Sequence, residues 1–398
     1  MITRLQVQNF RSHARSEMPL GPINLLVGPT GAGKSNLFKA LVLLQNTIHR
    51  ELEELFPPGL TEFRWVRSRW AGETDPNSFE VDLQDVADYP GVAFRYQLSF
   101  ADSPSGLYVL SEALQRRSGE EDWEWVFQRF MQTRQMGEFG LVSAYEPSVL
   151  CKVRRGRVQV PDAPNVKMAR AVGRSLSSVG YYHLEVSELK ALGSGQETDR
   201  IDYYGGRLPD FIAWLKSNPD HAAAYQALHD GLLELLPDLD SILVTQVGPG
   251  RQGLALSFKG HKGHITARDL SDGTMLTLGL LAILRGTQQP DLLCFEEPET
   301  GLHPRRLRWL FDQMVRLAYP AEGCPRRQLI LTTHSPDLVN LFSEMPEAVT
   351  VVDQATGPMG NRMSRVSPLP EILAKLHADG TPVESIGHAW ATGLYEQL

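Results

Sequence analysis

The chain has 398 residues, of which 42% are hydrophobic and 22% charged, and its formal net charge is −8 at pH 7. This composition predicts a globular protein that buries a core, and it excludes a chain dominated by disorder or by a coiled-coil rod. The negative charge argues against coating nucleic acid or membrane by bulk charge, but it does not exclude a local basic patch.

The compartment is predicted from the cysteines and the N-terminus. Cys151, Cys294 and Cys324 are odd in number, and none lies in a CxxC or zinc-type spacing. The first residues lack the apolar stretch of a signal peptide, and no apolar run approaches the roughly 20 residues that a membrane span needs. We therefore expect a cytoplasmic protein that does not interact with membranes.

The N-terminal part of the sequence is predicted to form two strands, a loop and a helix. Residues 2–10 alternate loosely, and residues 23–27 form a short apolar run typical of a buried parallel strand. A helix is expected after this run, through about Leu55, where two prolines end it.

The middle of the chain has a different residue pattern, typical of antiparallel strands. Short alternating runs separated by turn signals predict antiparallel strands at residues 79–83, 94–100, 107–111 and 158–160. Residues 51–185 are therefore expected to form a β-rich insertion. Arg64, Arg67 and Arg69 interleave with aromatic residues here, a pattern compatible with nucleic acid but more typical of a solvated strand face.

Helices and strands alternate in the C-terminal half. A helical pattern covers 208–236, and strands are predicted at 241–246, 253–258, 264–267, 292–295 and 329–333, with helices at 274–284 and 304–317. This alternation predicts an α/β fold with a mostly parallel central sheet. The expected domains are a core split between 1–50 and 240–355, the insertion 51–185, a helical lobe 186–239, and a segment 356–398 packed on the core.

A phosphate-binding loop is the strongest functional signal. It follows the predicted strand 23–27, precedes a helix and fits GxxxxGK[ST] over the residues Gly28, Pro29, Thr30, Gly31, Ala32, Gly33, Lys34 and Ser35, with Asn36 next. Glycines let the backbone N–H groups turn inward around an anion, and the helix adds the positive end of its dipole. Lys34 is expected to reach the β- and γ-phosphates of a nucleotide, and the Ser35 hydroxyl to bind Mg²⁺.

Two acidic residues follow the apolar strand 292–295, at the end of a strand where α/β sheets bind ligands. We expect Glu296 to hold Mg²⁺, through water, and Glu297 to orient and polarise the attacking water. Repulsion between the two carboxylates is relieved by the cation.

Two further motifs have both a functional and a structural interpretation. His334 follows strand 329–333, 37 residues after Glu297, where it can contact the γ-phosphate or the water, or be a satisfied strand-end histidine. Ser271, Asp272 and Gly273 precede an apolar helix. There they can bind a γ-phosphate, or Ser271 can be an ordinary N-cap.

Five motifs in this order carry a resemblance: NFRSH at 9–13, the phosphate loop, LSDGT at 270–274, EEPETGLHP at 296–304 and TTHSP at 332–336. The chain resembles the ABC-type ATPase heads of the SMC/RecF/OLD group, most closely the standalone bacterial AAA-type ATPases with EEPE-x-GLHP and THSP. The resemblance covers about 1–45 and 265–340. It implies a P-loop NTPase fold of the ABC ATPase head type, with a helical signature lobe.

The same resemblance implies a homodimer that sandwiches two ATP molecules with Mg²⁺. Ser271, Asp272 and Gly273 would face the nucleotide of the other subunit, and Glu299, Gly301 and His303 would belong to a D-loop that crosses the interface. Arg11 would lie near the nucleotide. Gln84 and Gln97 both stay candidates for the Q-loop glutamine. Glu296 replaces the more usual Asp, and Asp272 and Thr274 depart from the transporter signature, which argues against a transporter.

The distances between the motifs exclude two kinds of protein within the SMC/RecF/OLD group. Only 237 residues separate Lys34 from Ser271, too few for long SMC arms, and 64 residues follow His334, too few for the toprim nuclease domain of full OLD proteins. The resemblance implies an ATP-driven dimerisation switch in DNA-related work, such as phage defence or repair, beside a separate nuclease or toxin effector. The alternative is a sensor or scaffold with slow turnover, whose residues 50–230 bind a protein or nucleic-acid ligand.

Overall fold

The structure is a computed structural model that describes residues 1–56, 66–68, 71–72, 75–103, 106–287, 289–357, 360 and 362–397. Arg64 and Arg69 lie outside these residues. The chain divides into two compact units, the first formed by Met1–Val179 with Phe342–Leu398 and the second by Gly180–Leu341.

An antiparallel sheet dominates the first unit. Its strands are β1 (Ile2–Phe10), β2 (His13–Pro19), β4 (Asn77–Leu83), β5 (Val92–Ser103), β6 (Gly106–Ser118) and β7 (Glu124–Phe130), in the order β2-β1-β4-β5-β6-β7. Every second residue of β4 is buried, as expected for a sheet with one face on the core. The predicted antiparallel strands at 79–83, 94–100 and 107–111 are confirmed, and all three are longer in the structure.

The first unit also holds β3 (Ile23–Val27), whose five residues are all buried. It lies parallel to β14 (Val349–Thr356), which pairs antiparallel with β15 (Arg362–Pro368). The helices of this unit are α1 (Lys34–His49), α2 (Leu52–Leu55), α3 (Val149–Arg154), α4 (Pro164–Ser177), α11 (Leu369–Ala378) and α12 (Ile386–Ala391).

Two local predictions are wrong. The helix expected through about Leu55 is broken at Arg50, whose backbone is extended, because Glu51 begins α2 with a reciprocal capping box to Glu54. Residues 158–160 form no strand, and the missed helix α4 follows them. Its buried side chains recur at helical spacing, as Val166, Ala169, Val172 and Leu176 show.

A buried charged pair joins the sheet to α3. Glu112 and Arg129 are both fully buried, with 3.5 Å between Oε2 and Nη1. The Glu112 carboxylate also accepts hydrogen bonds from the Tyr96 hydroxyl (2.9 Å) and from the backbone N–H of Val149 at the start of α3 (2.7 Å). These contacts compensate the buried charges and fix the helix against β5 and β6.

The second unit is a smaller α/β assembly. Its strands are β8 (Val179–Tyr182), β9 (Leu239–Gly248), β10 (Arg251–Phe258), β11 (His264–Thr266), β12 (Leu292–Glu296) and β13 (Gln328–Thr332), and its helices are α5 (Val186–Leu189), α6 (Leu208–Ser217), α7 (Ala222–Leu235), α8 (Asp272–Arg285), α9 (Pro304–Ala318) and α10 (Pro336–Leu341). β12 and β13 are parallel neighbours, with β8 beside β12. The strands β9, β10 and β11 form an antiparallel sheet.

The predicted α/β fold class is confirmed. Helix α8 is buried along almost its whole length, as its apolar sequence predicts. Among the helices of the described residues, none combines the length and apolar character needed to cross a bilayer. The domain boundaries expected from the sequence stay a prediction.

Candidate functional site

The phosphate loop begins where β3 ends, and its shape requires glycine at two positions. Gly28 has φ 147°, and a Cβ there would lie 1.8 Å from the backbone oxygen of Val352 in β14. Gly33 has φ 111°, and its Cβ would lie 2.2 Å from the Ser364 Oγ and 2.6 Å from the Ser12 Oγ. The loop is therefore packed too closely on its own unit to accept any side chain at these positions.

Lys34 opens α1 and turns back into the loop. Its side chain is buried, and its Nζ donates hydrogen bonds to the backbone oxygens of Gly28 (2.7 Å) and Pro29 (3.2 Å). A buried ammonium group, at the N-terminus of a 16-residue helix and beside a glycine-shaped cradle, fits a bound phosphate chain. Ser35 and Asn36 follow in the first turn of α1, and Thr30 and Gly31 form the exposed part of the loop.

The phosphate loop is also held by hydrogen bonds from polar side chains that were not predicted from the sequence. The Ser364 hydroxyl donates to the Ala32 backbone oxygen, and its Oγ lies 2.7 Å from the Ser12 Oγ. The Ser12 Oγ accepts a hydrogen bond from the Asn36 amide (2.8 Å). The Gln354 amide donates to the Gly31 backbone oxygen at 3.0 Å. Strands β14 and β15 thus help to fix the loop, although they lie more than 300 residues away in sequence.

His13 is the buried member of this support. Its Nε2 lies 3.1 Å from the Gly33 backbone oxygen and its Nδ1 lies 2.8 Å from the Ser16 Oγ. Burial lowers the pKa of His13 to about 4, although the Gly33 contact favours the charged ring. The ring is therefore neutral at physiological pH and holds the loop as a polar group, not as a cation.

Arg11 lies in the turn between β1 and β2. Its backbone has φ 50°, its N–H donates to the Val66 backbone oxygen (2.7 Å), and its backbone oxygen accepts from the Ser68 hydroxyl (2.9 Å). The guanidinium lies 5.9 Å from the centre of the Phe10 ring. These contacts fix the turn. A contact of Arg11 with nucleotide stays a prediction.

In the second unit, Glu296 ends β12 and is surrounded by donors. The Tyr181 hydroxyl donates to Oε1 at 2.7 Å and the Tyr203 hydroxyl to Oε2 at 3.1 Å, and the His183 Nδ1 lies 3.5 Å from Oε2. Burial, and then the negative charge of Glu296, raises the pKa of Tyr203 to about 12, and burial and hydrogen bonding raise that of Tyr181 as well. Both hydroxyls therefore stay protonated donors at neutral pH.

Glu297 and His334 are brought together at the ends of neighbouring parallel strands. The Glu297 Oε1 lies 3.6 Å from the His334 Nε2, and each side chain is about one third exposed (38% and 33%). Glu297 has φ 45°, a left-handed conformation that is unusual for glutamate, and its N–H donates to the Thr332 backbone oxygen at 3.1 Å. Strained backbone of this kind is concentrated at functional sites, so the geometry favours a catalytic role for Glu297.

The three residues expected in the D-loop have different surroundings. Glu299 is largely buried and accepts hydrogen bonds from the Thr333 hydroxyl and the His334 backbone N–H, and burial raises its pKa. Gly301 is exposed with φ 80°, and the exposed His303 caps α9 by accepting from the Arg305 N–H at 3.2 Å. Contact of these residues with a second subunit stays a prediction.

The signature residues begin α8 as an exposed cap. The Ser271 Oγ accepts a hydrogen bond from the Thr274 N–H at 3.3 Å, so the N-cap interpretation is correct for this helix. Asp272 accepts from the Lys190 Nζ at 2.7 Å, and a Cβ on Gly273 would lie 3.1 Å from the Arg306 Nη1. Ser271 and Asp272 are exposed, which leaves them accessible to another molecule.

Oxygen donors of the kind that Mg²⁺ binds occur in each unit. No cluster of three or more His, Cys, Asp or Glu with metal-binding geometry occurs within the residues described. Glu296 and Ser35 offer hard oxygen ligands, and Mg²⁺ in nucleotide sites uses one or two carboxylates together with waters and phosphates. For the Q-loop, Gln97 donates to Glu80 and Gln84 is exposed, which does not distinguish the two candidates.

Comparisons with known proteins match two parts of the chain to AAA domains and nearly the whole chain to a known fold. The family model described as "AAA domain, putative AbiEii toxin, Type IV TA system" matches residues 202–340, and a model described as "AAA domain" matches residues 4–44. A solved SMC head, bound to the C-winged helix domain of ScpA, has a TM-score of 0.52 and 12% identity, covering 94% of this chain and 99% of that one. The fold is therefore that of the P-loop NTPases, in the form found in SMC heads.

A curated relative agrees with this class. An OLD nuclease of Thermus scotoductus is 40% identical over 58 residues, which cover 15% of this chain and 11% of that protein. The match spans only about a tenth of the nuclease. Together with the two AAA matches and the SMC-head fold, it supports the resemblance to the ATPases of the SMC/RecF/OLD group that the sequence motifs predict.

Proposed function

We propose that this protein is a Mg²⁺-dependent ATP hydrolase of the cytoplasm that acts as an ATP-driven dimerisation switch. The observation that carries the proposal is the loop 28–35, in which glycine is required by close packing and a buried Lys34 ammonium lies against the Gly28 backbone oxygen. Such a cradle binds the phosphates of a nucleotide.

The residues divide the chemistry among themselves. Lys34 would neutralise charge on the phosphates, with Arg11 nearby. The Ser35 hydroxyl and Glu296 would hold Mg²⁺, which would supply further positive charge at the phosphates. Glu297 accepts a hydrogen bond from the attacking water and orients it. His334, 3.6 Å from the Glu297 carboxylate, donates a hydrogen bond to that water or to the γ-phosphate.

The proposed dimer contact is made by the exposed N-terminal cap of α8. Ser271 and the Gly273 N–H of one subunit close over the γ-phosphate held by its twin, and Gly301 and His303 lie on the surface of the same unit. Hydrolysis removes the contacts to the γ-phosphate and weakens the dimer, because the ligand then no longer favours the closed state.

The biological role we propose is DNA-related work, such as phage defence or repair, with a separate nuclease or toxin as effector. The segment shared with an OLD nuclease and the toxin-related description of the matched AAA family support this role. Direct contact with DNA is compatible with it, and turnover that rises when DNA is added is the expected sign of such contact.

A second candidate is a sensor or scaffold with slow turnover, whose residues 50–230 bind a ligand. This second candidate is favoured by an open cavity of about 820 Å³ in the first unit, lined in part by Leu141, Tyr145 and Lys152. Leu141 is 70% exposed, and the chain on either side of it carries further exposed apolar side chains, namely Trp125, Phe130, Met131 and Tyr145. Exposed apolar surface of this kind is typical of binding sites.

The test combines nucleotide uptake with sedimentation. Wild-type protein should bind ATP with Mg²⁺ and change from monomer to dimer, whereas Lys34→Ala should lose uptake. Lys39→Ala, an exposed lysine one turn later on α1, is the matched control and should bind like wild type. ATPase rates with and without DNA, at fixed salt, separate the two candidates. No uptake by wild-type protein would overturn both.

A further inference from the structure

Glu296 is held by two tyrosines that the hydrolysis chemistry itself does not require. Tyr181 and Tyr203 each donate a hydroxyl hydrogen bond to a different oxygen of the carboxylate, at 2.7 and 3.1 Å. The two hydroxyl oxygens lie 3.4 Å apart and the ring centres 4.6 Å apart. The carboxylate is thus held from both oxygens, and the two rings support one another.

Both tyrosines stand on fixed backbone. Tyr181 belongs to β8, the neighbour of β12 in the sheet. The segment of Tyr203 is fastened to the chain after β8, because its backbone oxygen accepts from the His183 N–H at 2.8 Å. The turn that follows is tight, since Asp202 accepts from the Gly206 N–H at 2.7 Å and a Cβ on Gly205 would lie 2.7 Å from the Leu189 Cδ2.

This arrangement leaves part of the carboxylate available. An ionised carboxylate accepts about four hydrogen bonds. The tyrosines occupy one position on each oxygen and the His183 Nδ1 lies 3.5 Å from Oε2, so at most two positions remain, and their direction is set by the tyrosines. Waters bound to Mg²⁺ can use these positions while both hydroxyl bonds persist. A glutamate side chain has several rotatable bonds, so the orientation of its carboxylate depends on being held.

Building on the proposed function, we infer that Tyr181 and Tyr203 are positioning residues that orient Glu296 toward the water shell of the nucleotide-bound magnesium. Partners that orient a metal-holding group affect metal affinity by about 10- to 100-fold. The inference therefore concerns metal affinity specifically, whereas a purely structural role would affect nucleotide binding with and without the metal alike.

The experiment measures binding of a non-hydrolysable ATP analogue by calorimetry, once in EDTA and once across a Mg²⁺ titration. The variants are Tyr181→Phe, Tyr203→Phe and the double variant. Tyr204→Phe is the matched control, because its ring packs 4.5 Å from that of Tyr203 while the bonds to Glu296 come from the other two tyrosines. We expect the Mg²⁺ concentration for half-saturation to rise about tenfold in each single variant and by up to about 100-fold in the double variant, with unchanged affinity in EDTA.

A thermodynamic cycle gives a second readout. In a Glu296→Ala background, Tyr181→Phe should have no further effect on Mg²⁺ half-saturation, because the group it positions is gone. A double variant with the wild-type Mg²⁺ dependence, or one that loses affinity equally in EDTA, would overturn the inference alone. Wild-type protein that binds no analogue in either buffer would overturn the proposed function itself.

Discussion

The Glu299 carboxylate accepts a hydrogen bond from the backbone N–H of His334 at 3.1 Å, and the Thr333 hydroxyl donates to the same oxygen. A residue assigned from the sequence to a dimer-crossing loop thus also fixes the chain just after β13. Because this bond holds the His334 backbone, we expect Glu299 to influence the position of the His334 ring, which lies 3.6 Å from Glu297.

Two substitutions of Glu299 should distinguish the need for its hydrogen-bond acceptor from the need for its negative charge. Glu299→Gln keeps an acceptor oxygen for both donors, so we expect near-normal stability and turnover. Glu299→Ala leaves the two donors unpaired at a largely buried site, which should cost about 1–3 kcal/mol and lower the ATPase rate. Urea unfolding and steady-state ATPase assays check both effects, and equal behaviour of the two variants would contradict them.

The Glu297→Gln variant should bind ATP but hydrolyse it at least about 100-fold more slowly, because an amide cannot polarise the water as a carboxylate does. Glutamine has the same shape and tolerates the same backbone, so binding should persist and the dimer should accumulate. Sedimentation with ATP and Mg²⁺ measures this. Glu322→Gln, at an exposed loop position, is the control, and an unchanged monomer for Glu297→Gln would count against the switch.

Two substitutions at Ser271 distinguish its capping role from its predicted role across the dimer. Ser271→Ala removes the acceptor for the Thr274 N–H and should lower stability by about 1 kcal/mol. Ser271→Asp keeps a good N-cap but places a negative charge where the γ-phosphate of the twin would lie. We expect it to melt like wild type yet to form no ATP-dependent dimer, and dimer formation at wild-type ATP concentrations would refute the contact.

His13 should make the protein sensitive to acid. Its pKa is lowered from 6.5 to about 4 in the fold, so the neutral ring favours the folded state above pH 6.5, and this contribution is lost as the pH falls toward 4. The difference corresponds to about 3 kcal/mol. Urea unfolding at several pH values should show a shallower loss for His13→Gln than for wild type, whereas His388→Gln, at an exposed position, should retain the full slope.

Much of the fold was predictable because the signals are local. The strand Ile23–Val27 has the predicted bounds, since a five-residue run with four apolar residues before a glycine loop fits few other structures. Helix α4 was missed because its polar face and short apolar residues hide the helical spacing that burial makes plain. The break at Arg50 depends partly on Arg155, which pairs with Glu51 at 2.6 Å from more than 100 residues away.

Part of the candidate site was likewise predictable from local motifs, and part was not. The phosphate loop, Glu296, Glu297 and His334 were selected from short motifs, and the 3.6 Å contact between the last two agrees with their predicted placement at neighbouring strand ends. Tyr181 and Tyr203 were not selected, although a Tyr-Tyr pair occurs in each of their segments. Tyrosines are common in strands and turns, so nothing in the pattern points to a carboxylate partner.

The order of residues alone predicts the candidate phosphate cradle, because a run of eight consecutive positions contains the glycines expected to turn the backbone and the lysine expected to neutralise the ligand. Only the tertiary structure decided what surrounds the functional groups: Ser364 beneath Ala32, and two tyrosines around Glu296. Such contacts join residues that are about 90 to 330 positions apart. A hydroxyl can bond to almost any polar neighbour, so its partner is fixed by packing and not by the sequence nearby.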